Sequence, residues 1–467
     1  MRLCHDPLKT SASFDDPNLV SRAGLVPVMS LAERAGLEAL VRRHVQIAGP
    51  CGANPGIKAG CLVAGMAAGA DSIDDMDVLR HGAMPGVFGG LRAPSTLGSF
   101  LRSFTWGNVG QLEAAGRGLL AELARRAPLL PGAGVLAFVD IDSMQKRVYG
   151  HKKQGAGFGP TKIQGKTVLV RGLNALAATI CTPQAAPVIA ATRLRGGRAA
   201  SARGAASFAA GAAGTARAAG CTGTVVVRMD SAFYNAAVCQ AVRRAGAFFS
   251  VTARMDPAVK AAIAAIGGGA WTPIRYPRAI WDDQLRRWVS DAEVAEIGYT
   301  AFGSRDKSRA ITARLIVRRV RDLNPRAAGQ DELFPAWRYH AVFTDSPFVM
   351  LQAEGDHRDH AVVEQVFADW TGGPMAHLPS GHFAANAAWL TLAAMAHNLV
   401  RAAGCLASAF YARARGATIR RDLIDVAART ARSGRGCLAL HLPQDWHRET
   451  EWMNLFAAAC GPPARAA

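Results

Sequence analysis

Apolar positions along the chain change rhythm twice. Through about the first 130 residues they recur every three or four positions, as in LVPVMSLAERAGLEALVRRHV and LEAAGRGLLAELARRA, the spacing of helices with one buried stripe. Runs containing glycine and proline separate them as turns. At Gly134 the pattern becomes nearly continuous: VLAFVDI is a short apolar run ending in acids, as expected of a buried central strand. KTVLVRGLNALAATI and APVIAATRLR follow as strands, with Thr182 and Pro183 in the turn between them. Then come an alanine-rich helix (SARGAASFAAGAAGTARAAG), a strand ending in a carboxylate (CTGTVVVRMD), a helix (AAVCQAVRRAGA) and a strand (FFSVTAR). That alternation predicts a mixed α/β layer with helices against the sheet, both acids falling at strand ends.

The second change gives tryptophan-containing alternation from about residue 270 to 345, in WTPIRYPRAIWDDQLRRWVSDAEV, ITARLIVRRVRDL and WRYHAVFTD, and predicts several antiparallel strands. From His357 the helical rhythm returns and ends in a basic stretch, YARARGATIRRDLIDVAARTARSGRG. The expected organisation is a helical DNA-binding region over 1–130, a core over 131–265, a β-rich insertion over 266–350, the final part of the core over 351–405, and a basic helical tail over 406–467. The most apolar stretch, Ala384 to Val400, includes Asn386, His397 and Asn398 and is read as a buried core helix, not a membrane span.

Composition narrows the partners. Lys and Arg number 54 against 35 Asp and Glu, a formal net charge of +19, which favours a polyanion and nucleic acid first. Nine cysteines stand singly with no CxxC pair, so they read as small buried hydrophobes in a reducing compartment and not as a zinc site. The amino-terminal residues lack the apolar core of a signal peptide, and an intracellular protein is expected. No GxSxG elbow and no GxxxxGK phosphate loop occurs, which removes two enzyme classes.

In RAPSTLGSFLRSF, Ser95 or Thr96 is placed to cap a helix whose Leu97, Leu101 and Phe104 share a face, with Arg92 and Arg102 at its edges. This is either the reading helix of a helix-turn-helix or an ordinary amphipathic helix. The acidic run Asp71, Asp74, Asp75 and Asp77 reads as a solvated helix start.

Phosphodiester cleavage with two metal ions needs hard oxygen ligands converging on one point. If the first and fourth strands are neighbours, Asp142 and Asp230 meet beyond one edge of the sheet, and Glu364 on a later helix can close the site. Strand-end acids also simply cap helices or turns, so position alone leaves both readings open.

FVDIDSMQ, YGHKKQGAGFG, RGLNALAAT, VVVRMDSAFYN and HAVVEQVFADW through HLPSGHFAANAAWL resemble the DDE-type insertion-sequence transposases of the group numbered thirteen-eighty, over almost the whole chain. The resemblance implies an RNase H-like mixed sheet with flanking helices, interrupted by a β-rich insertion before the last acid. It implies a triad of Asp142, Asp230 and Glu364 holding Mg2+ or Mn2+, with Asp140 as the rival for the first place. It further implies binding of terminal inverted repeats, DNA cleavage and strand transfer, double-stranded DNA as partner, a homodimer in the synaptic complex, and a place on the nucleoid of a bacterial cytoplasm. A catalytically inactive remnant that only binds DNA, and a plain nuclease without strand joining, are the alternatives. Relatives of this kind carry a tyrosine, an arginine and a lysine around the glutamate where this chain has His357, His360 and Thr371, with Arg358 close enough to substitute in part. Lys152, Lys153, Arg193, Arg195, Arg228 and Arg254 are candidates to line a phosphate track, or else solvated surface charges. Trp281, Trp288 and Trp337 are candidates for stacking on an unpaired base, or else packing partners across strands.

Overall fold

A computed structural model describes every residue except 2, 164–165, 201, 276–280, 284–286, 289–291, 305, 322–336, 435 and 462–467. Its centre is one mixed sheet. The strands used below are β1 (Leu136–Arg147), β2 (Gly157–Ile163), β3 (Lys166–Cys181), β4 (Val188–Gly196), β5 (Thr224–Met229), β6 (Phe248–Thr252), β7 (Thr272–Ile274), β8 (Ala292–Ala301), β9 (Ile311–Arg321) and β10 (Trp337–Thr344). Their order is β2-β3-β1-β5-β6-β10-β9-β8-β7, with β4 also pairing β3. Only β1–β5 and β5–β6 are parallel. The strands expected of a β-rich insertion therefore continue the core sheet: β10 pairs β6, Phe343 opposite Val251. β2 leaves no apolar alternation in the sequence, because its glycine, proline and lysine content hides it.

Alternation along β1 sorts its side chains onto two faces. Ala137, Val139 and Ile141 join the main core, together with Val225, Val227 and Met229 of β5. Phe138 and Val226 point the other way into a small cluster that includes Phe348 and Val362. Asp140 and Asp142 share that second face by their spacing.

From Leu25 the amino-terminal region is helical: α1 (Leu25–Arg34), α2 (Leu37–His44), α3 (Pro55–Ala67), α4 (Pro94–Arg102) and α5 (Trp106–Arg126), whereas Leu19–Val20 before it is a short strand. In α4 the expected cap is corrected, because Pro94 occupies the first turn and Ala93 stands at the N-cap with no side-chain hydrogen bond. Proline at the first helical position has no N–H to leave unsatisfied and presets the helical φ. Leu97, Leu101 and Phe104 are buried as read. Asp75 accepts from the amide and hydroxyl of Ser72 (3.1 and 2.7 Å), and Asp77 pairs with Arg80, so the acidic run closes its own turn.

After the sheet's first half come α6 (Ala205–Ala218), α7 (Ala236–Arg244) and α8 (Pro257–Ala264); α9 (Met350–Arg358), α10 (Val363–Thr371) and α11 (Phe383–Ala407) follow the last strand. α11 is long and apolar enough to cross a membrane, but 83% of its most apolar window is buried inside the protein. It packs on α3, α5 and β4. There the Asn398 amide accepts from Ile189 N (2.7 Å) and donates to Ile189 O (2.8 Å), serving as a neighbouring strand for β4 at the β-bulge where register shifts.

The tail departs from its expected helicity. Ala428–Arg432 and Leu438–His441 form a hairpin that also pairs with Leu19–Val20, and only α12 (Glu449–Cys460) is a long helix. Gly434 and Gly436, the latter at φ 74°, lie in the turn of that hairpin, where a helix would have to bend back. All nine cysteines are free, but Cys4, Cys51, Cys437 and Cys460 are exposed, so only some are the buried hydrophobes expected.

Replacing Asn398 by Leu strands the N–H and C=O of Ile189 in the core. Urea unfolding should show a loss of about 2–4 kcal/mol, and an unchanged midpoint would mean that water or a shifted strand replaces the amide.

Candidate active site

Parallel pairing of β1 with β5 places Asp140 opposite Arg228 and Ile141 opposite Met229. β5 ends there, whereas β1 runs on to Arg147, so Asp142 is left with a strand partner (Ala177 of β3) on one side only. Asp230, the first residue beyond β5, is extended and caps a single 3-10 turn, accepting from Ala232 N at 2.9 Å. Asp142 thus lies within a strand, not at its end as expected, but at the point where its neighbour stops.

The third acid arrives on a helical segment laid across this face. α9, a 3-10 turn (Asp359–Val362) and α10 follow one another without a gap, and His357, His360 and Glu364 are spaced by three and four residues along it. That spacing puts them on one stripe. His357 bridges Ser250 and Thr252 of β6, at 2.9 Å from each ring nitrogen. His360 Nδ1 meets Asp140 Oδ1 at 3.0 Å. Glu364 stands exposed in the first turn of α10.

Asp140 and Arg228 hold the segment down. Arg228 is 1% exposed and Asp140 0%. The guanidinium binds the carboxylate through Nε and Nη2 (2.6 and 2.8 Å), lies 4.0 Å from the Phe138 ring centroid, and donates from Nη1 to the carbonyl of Asp356 in α9. Burial opposes the charge on Asp140, but Arg228 and His360 together outweigh it and hold the carboxyl below its usual range. This pair is a clamp, and it removes Asp140 from contention as an open ligand.

A cavity of about 730 Å³ is lined by Asp142, Asp230 and Glu364, and by His357, Arg358 and His360. Burial pushes the Asp142 carboxyl up to about 6; Asp230 and Glu364 add repulsion, against the Ser143 amide and His360. Asp230 is also raised, chiefly by burial, against the amide of Ala232 and His360. His357 is pushed down to about 3, by burial first and by His360 and Arg228 next, so it is a neutral hydrogen-bonding bridge. Among the described residues, no group of three or more His, Cys, Asp and Glu side chains is gathered closely enough to hold a metal ion. By donor type alone, three carboxylates are ligands that a hard divalent cation accepts, and such a cation would offset the repulsion felt at Asp142.

The other expected DNA contacts separate into groups. Arg254 is exposed and donates to the carbonyl of Ser231 (3.0 Å), bracing the turn after Asp230. Arg358 pairs with Glu354 (3.0 Å) at the cavity wall. Lys152 is exposed in a loop, and Lys153 donates to the carbonyl of Leu378. Arg193 lines a different cavity of about 310 Å³, reaching Gly204 O at 3.1 Å. Arg195 is 7% exposed and grips Asn174, so it and Arg228 are corrected from surface phosphate contacts to internal ones. His357 is corrected likewise, since both ring nitrogens are engaged inside the fold. The Thr371 hydroxyl donates to the carbonyl of Phe367. Trp337 packs against Arg319, whose guanidinium lies 4.4 Å from its ring, and the side chains of Trp281 and Trp288 fall outside the described ones. Arg318 of β9 and His340 of β10, neither of them expected from the sequence, also line the cavity. They face each other in the β9–β10 register, a pairing no local spacing reveals.

A family model described as transposase DDE domain group 1 matches residues 5–459. No curated protein matches the chain significantly. Among solved structures, the piggyBac transposase synaptic complex with hairpin DNA is similar at 9% identity and TM-score 0.41, over 87% of this chain and 79% of that one.

Two measurements follow from the clamp and the raised acid. Asp140→Ala leaves Arg228 buried without its partner and should cost about 3–5 kcal/mol in chemical denaturation, much of it recovered in Asp140→Leu/Arg228→Met. The Asp142 carboxyl is raised above its unfolded value of 3.8, so its contribution to stability is present below that value and is lost as pH rises to about 6. Asp142→Asn should therefore raise unfolding stability at pH 7 by on the order of 1–2 kcal/mol, with no gain at pH 3.5.

Proposed function

Because the chain belongs to the transposase DDE domain group 1 family, we propose that Asp142, Asp230 and Glu364 form the catalytic triad of a DNA transposase with an RNase H-like core. The observation that carries this reading is that three acids widely separated in sequence line one cavity at the point where β5 stops and β1 continues. The proposed ligands are these three carboxylates, and the ion is Mg2+ or Mn2+. Such an ion, when bound, supplies a lowered pKa for attacking water and charge for the developing alkoxide.

The chain's own residues do the rest. β1 and the turn after β5 fix the two aspartates, and the Asp140–Arg228 clamp holds down the segment that brings Glu364. Arg358 gives the cavity wall positive charge for the scissile phosphate. Water attacks the phosphodiester at the element's end, the P–O bond to the 3′ oxygen breaks, and a 3′ hydroxyl leaves with the proton it takes up. That hydroxyl then attacks a target phosphodiester, forming one P–O bond as another breaks. The net charge of +19 suits long contact with duplex DNA. The functional unit we propose is a homodimer on two inverted repeats, on the nucleoid of a bacterial cytoplasm, with the narrower affinity to the group numbered thirteen-eighty.

The test is Mg2+-dependent cleavage of a duplex carrying the element's own end. The unaltered protein should nick at the boundary, and Asp230→Ala and Glu364→Ala should lower the rate by at least about a thousandfold without loss of binding. Strand transfer should appear as 3′ ends joined to target DNA. Salt-sensitive binding without cleavage by any of the three proteins would overturn the catalytic reading and leave a DNA-binding remnant.

A further inference from the structure

A third cavity, largely apolar in its walls but holding several charged groups, lies at the far end of α10. It has a volume of about 270 Å³ and is lined by Asp369, Trp370, His397, Arg401, Arg415 and Arg420. Three arginines therefore face one carboxylate, and that carboxylate is already used. Asp369 Oδ1 accepts from Arg415 Nε at 2.9 Å and Oδ2 from the amide of Gly416 at 3.1 Å. Arg401 is 3% exposed, yet its Nη atoms bind only the carbonyls of Ala412 and Ala414 and its Nε has no partner. Arg420 binds the carbonyl of Ala67 through Nε at 3.3 Å. Asp425, whose charge also acts on Arg420, is itself paired with Arg22 at 3.1 Å. Among the described residues, neither Arg401 nor Arg420 makes an ion pair at contact distance.

Burying a guanidinium without a counter-charge costs several kcal/mol, and folded proteins avoid it or neutralise it. His397 does not add to the load, because burial and then Arg401 push it down to about 4, and its Nε2 is 3.3 Å from the carbonyl of Pro187. Trp370, 1% exposed, contributes a second donor without an acceptor, its indole N–H. The cavity thus sets three guanidiniums against the single carboxylate of Asp369, with Asp425 acting on Arg420 from beside it, and the positive charge left over suits a compact anion rich in acceptor oxygens. Arginine forks match carboxylate and phosphate oxygens alike, and a phosphate presents more acceptor oxygens to several guanidiniums at once.

We propose that this cavity is an anion site that takes a phosphate group, carried either by a DNA backbone or by a small phosphorylated molecule. The site is separate from the carboxylate cavity and does not rest on the catalytic reading. It needs no divalent metal.

The test uses the full chain in metal-free buffer at constant ionic strength, with inorganic pyrophosphate, dAMP and a short duplex as probes. Arg420→Gln is compared with Arg43→Gln, which removes the same charge from an exposed position on α2. Arg415→Gln, at the more exposed rim, guards against a folding defect, and circular dichroism checks all three. Binding of pyrophosphate or dAMP, weakened about tenfold in Arg420→Gln and Arg415→Gln but not in Arg43→Gln, with duplex affinity equal in all, supports a free phosphorylated ligand. A fall in duplex affinity confined to the two cavity variants, with the salt slope reduced by about one, supports a backbone phosphate. If no probe distinguishes the cavity variants from Arg43→Gln, the proposal is overturned.

Discussion

The buried pair of Asp140 and Arg228 is the contact on which the candidate site depends. It joins two parallel strands edge to edge, and through the carbonyl of Asp356 and the ring of His360 it reaches the helical segment above them. Ion pairs in a protein interior rarely add stability beyond what hydrophobic residues would give, because both charges must leave water. Their usual return is directional: a guanidinium has fixed forks, so it dictates where each partner sits. Here the partners are the strand bearing Asp142, the strand leading to Asp230, and the segment bearing Glu364.

The same arrangement explains why Asp140 and Asp142, on one face and two residues apart, differ so much. Asp140 sits where β5 still runs alongside and supplies Arg228. Asp142 sits past the end of β5, with carboxylates for neighbours instead of a cation. One residue is held ionised by its surroundings and the other resists ionisation, and a strand boundary is the cause.

Much of the fold was legible because its signals are local. Continuous apolar runs marked β1 and β5, three- and four-residue spacing marked the helices, and the acids after VLAFVDI and VVVRM pointed to one end of neighbouring strands. The carboxylate cavity was anticipated through resemblance added to that pattern. What escaped depended on pairing across distance. Arg195 and Arg228 look like any other basic residues until the sheet places Asn174 and Asp140 beside them. That the strands of residues 266–350 extend the core sheet was not legible, because composition does not say which edge a new strand joins. The hairpin near the carboxyl terminus was hidden by arginines at positions that a helix or a strand could equally expose.

That hairpin joins regions far apart in the chain. Leu19–Val20 is stitched to Ala428–Arg432, and in α1 Ser30 and Arg34 donate to the carbonyls of Ala458 and Ala459. A polypeptide leaving the ribosome in order must therefore carry Leu19–Val20 and α1 with those positions open until residues beyond 428 have emerged. A copy interrupted after Glu364 keeps all three acids and still lacks the seam on which Leu19–Val20 and α1 rest.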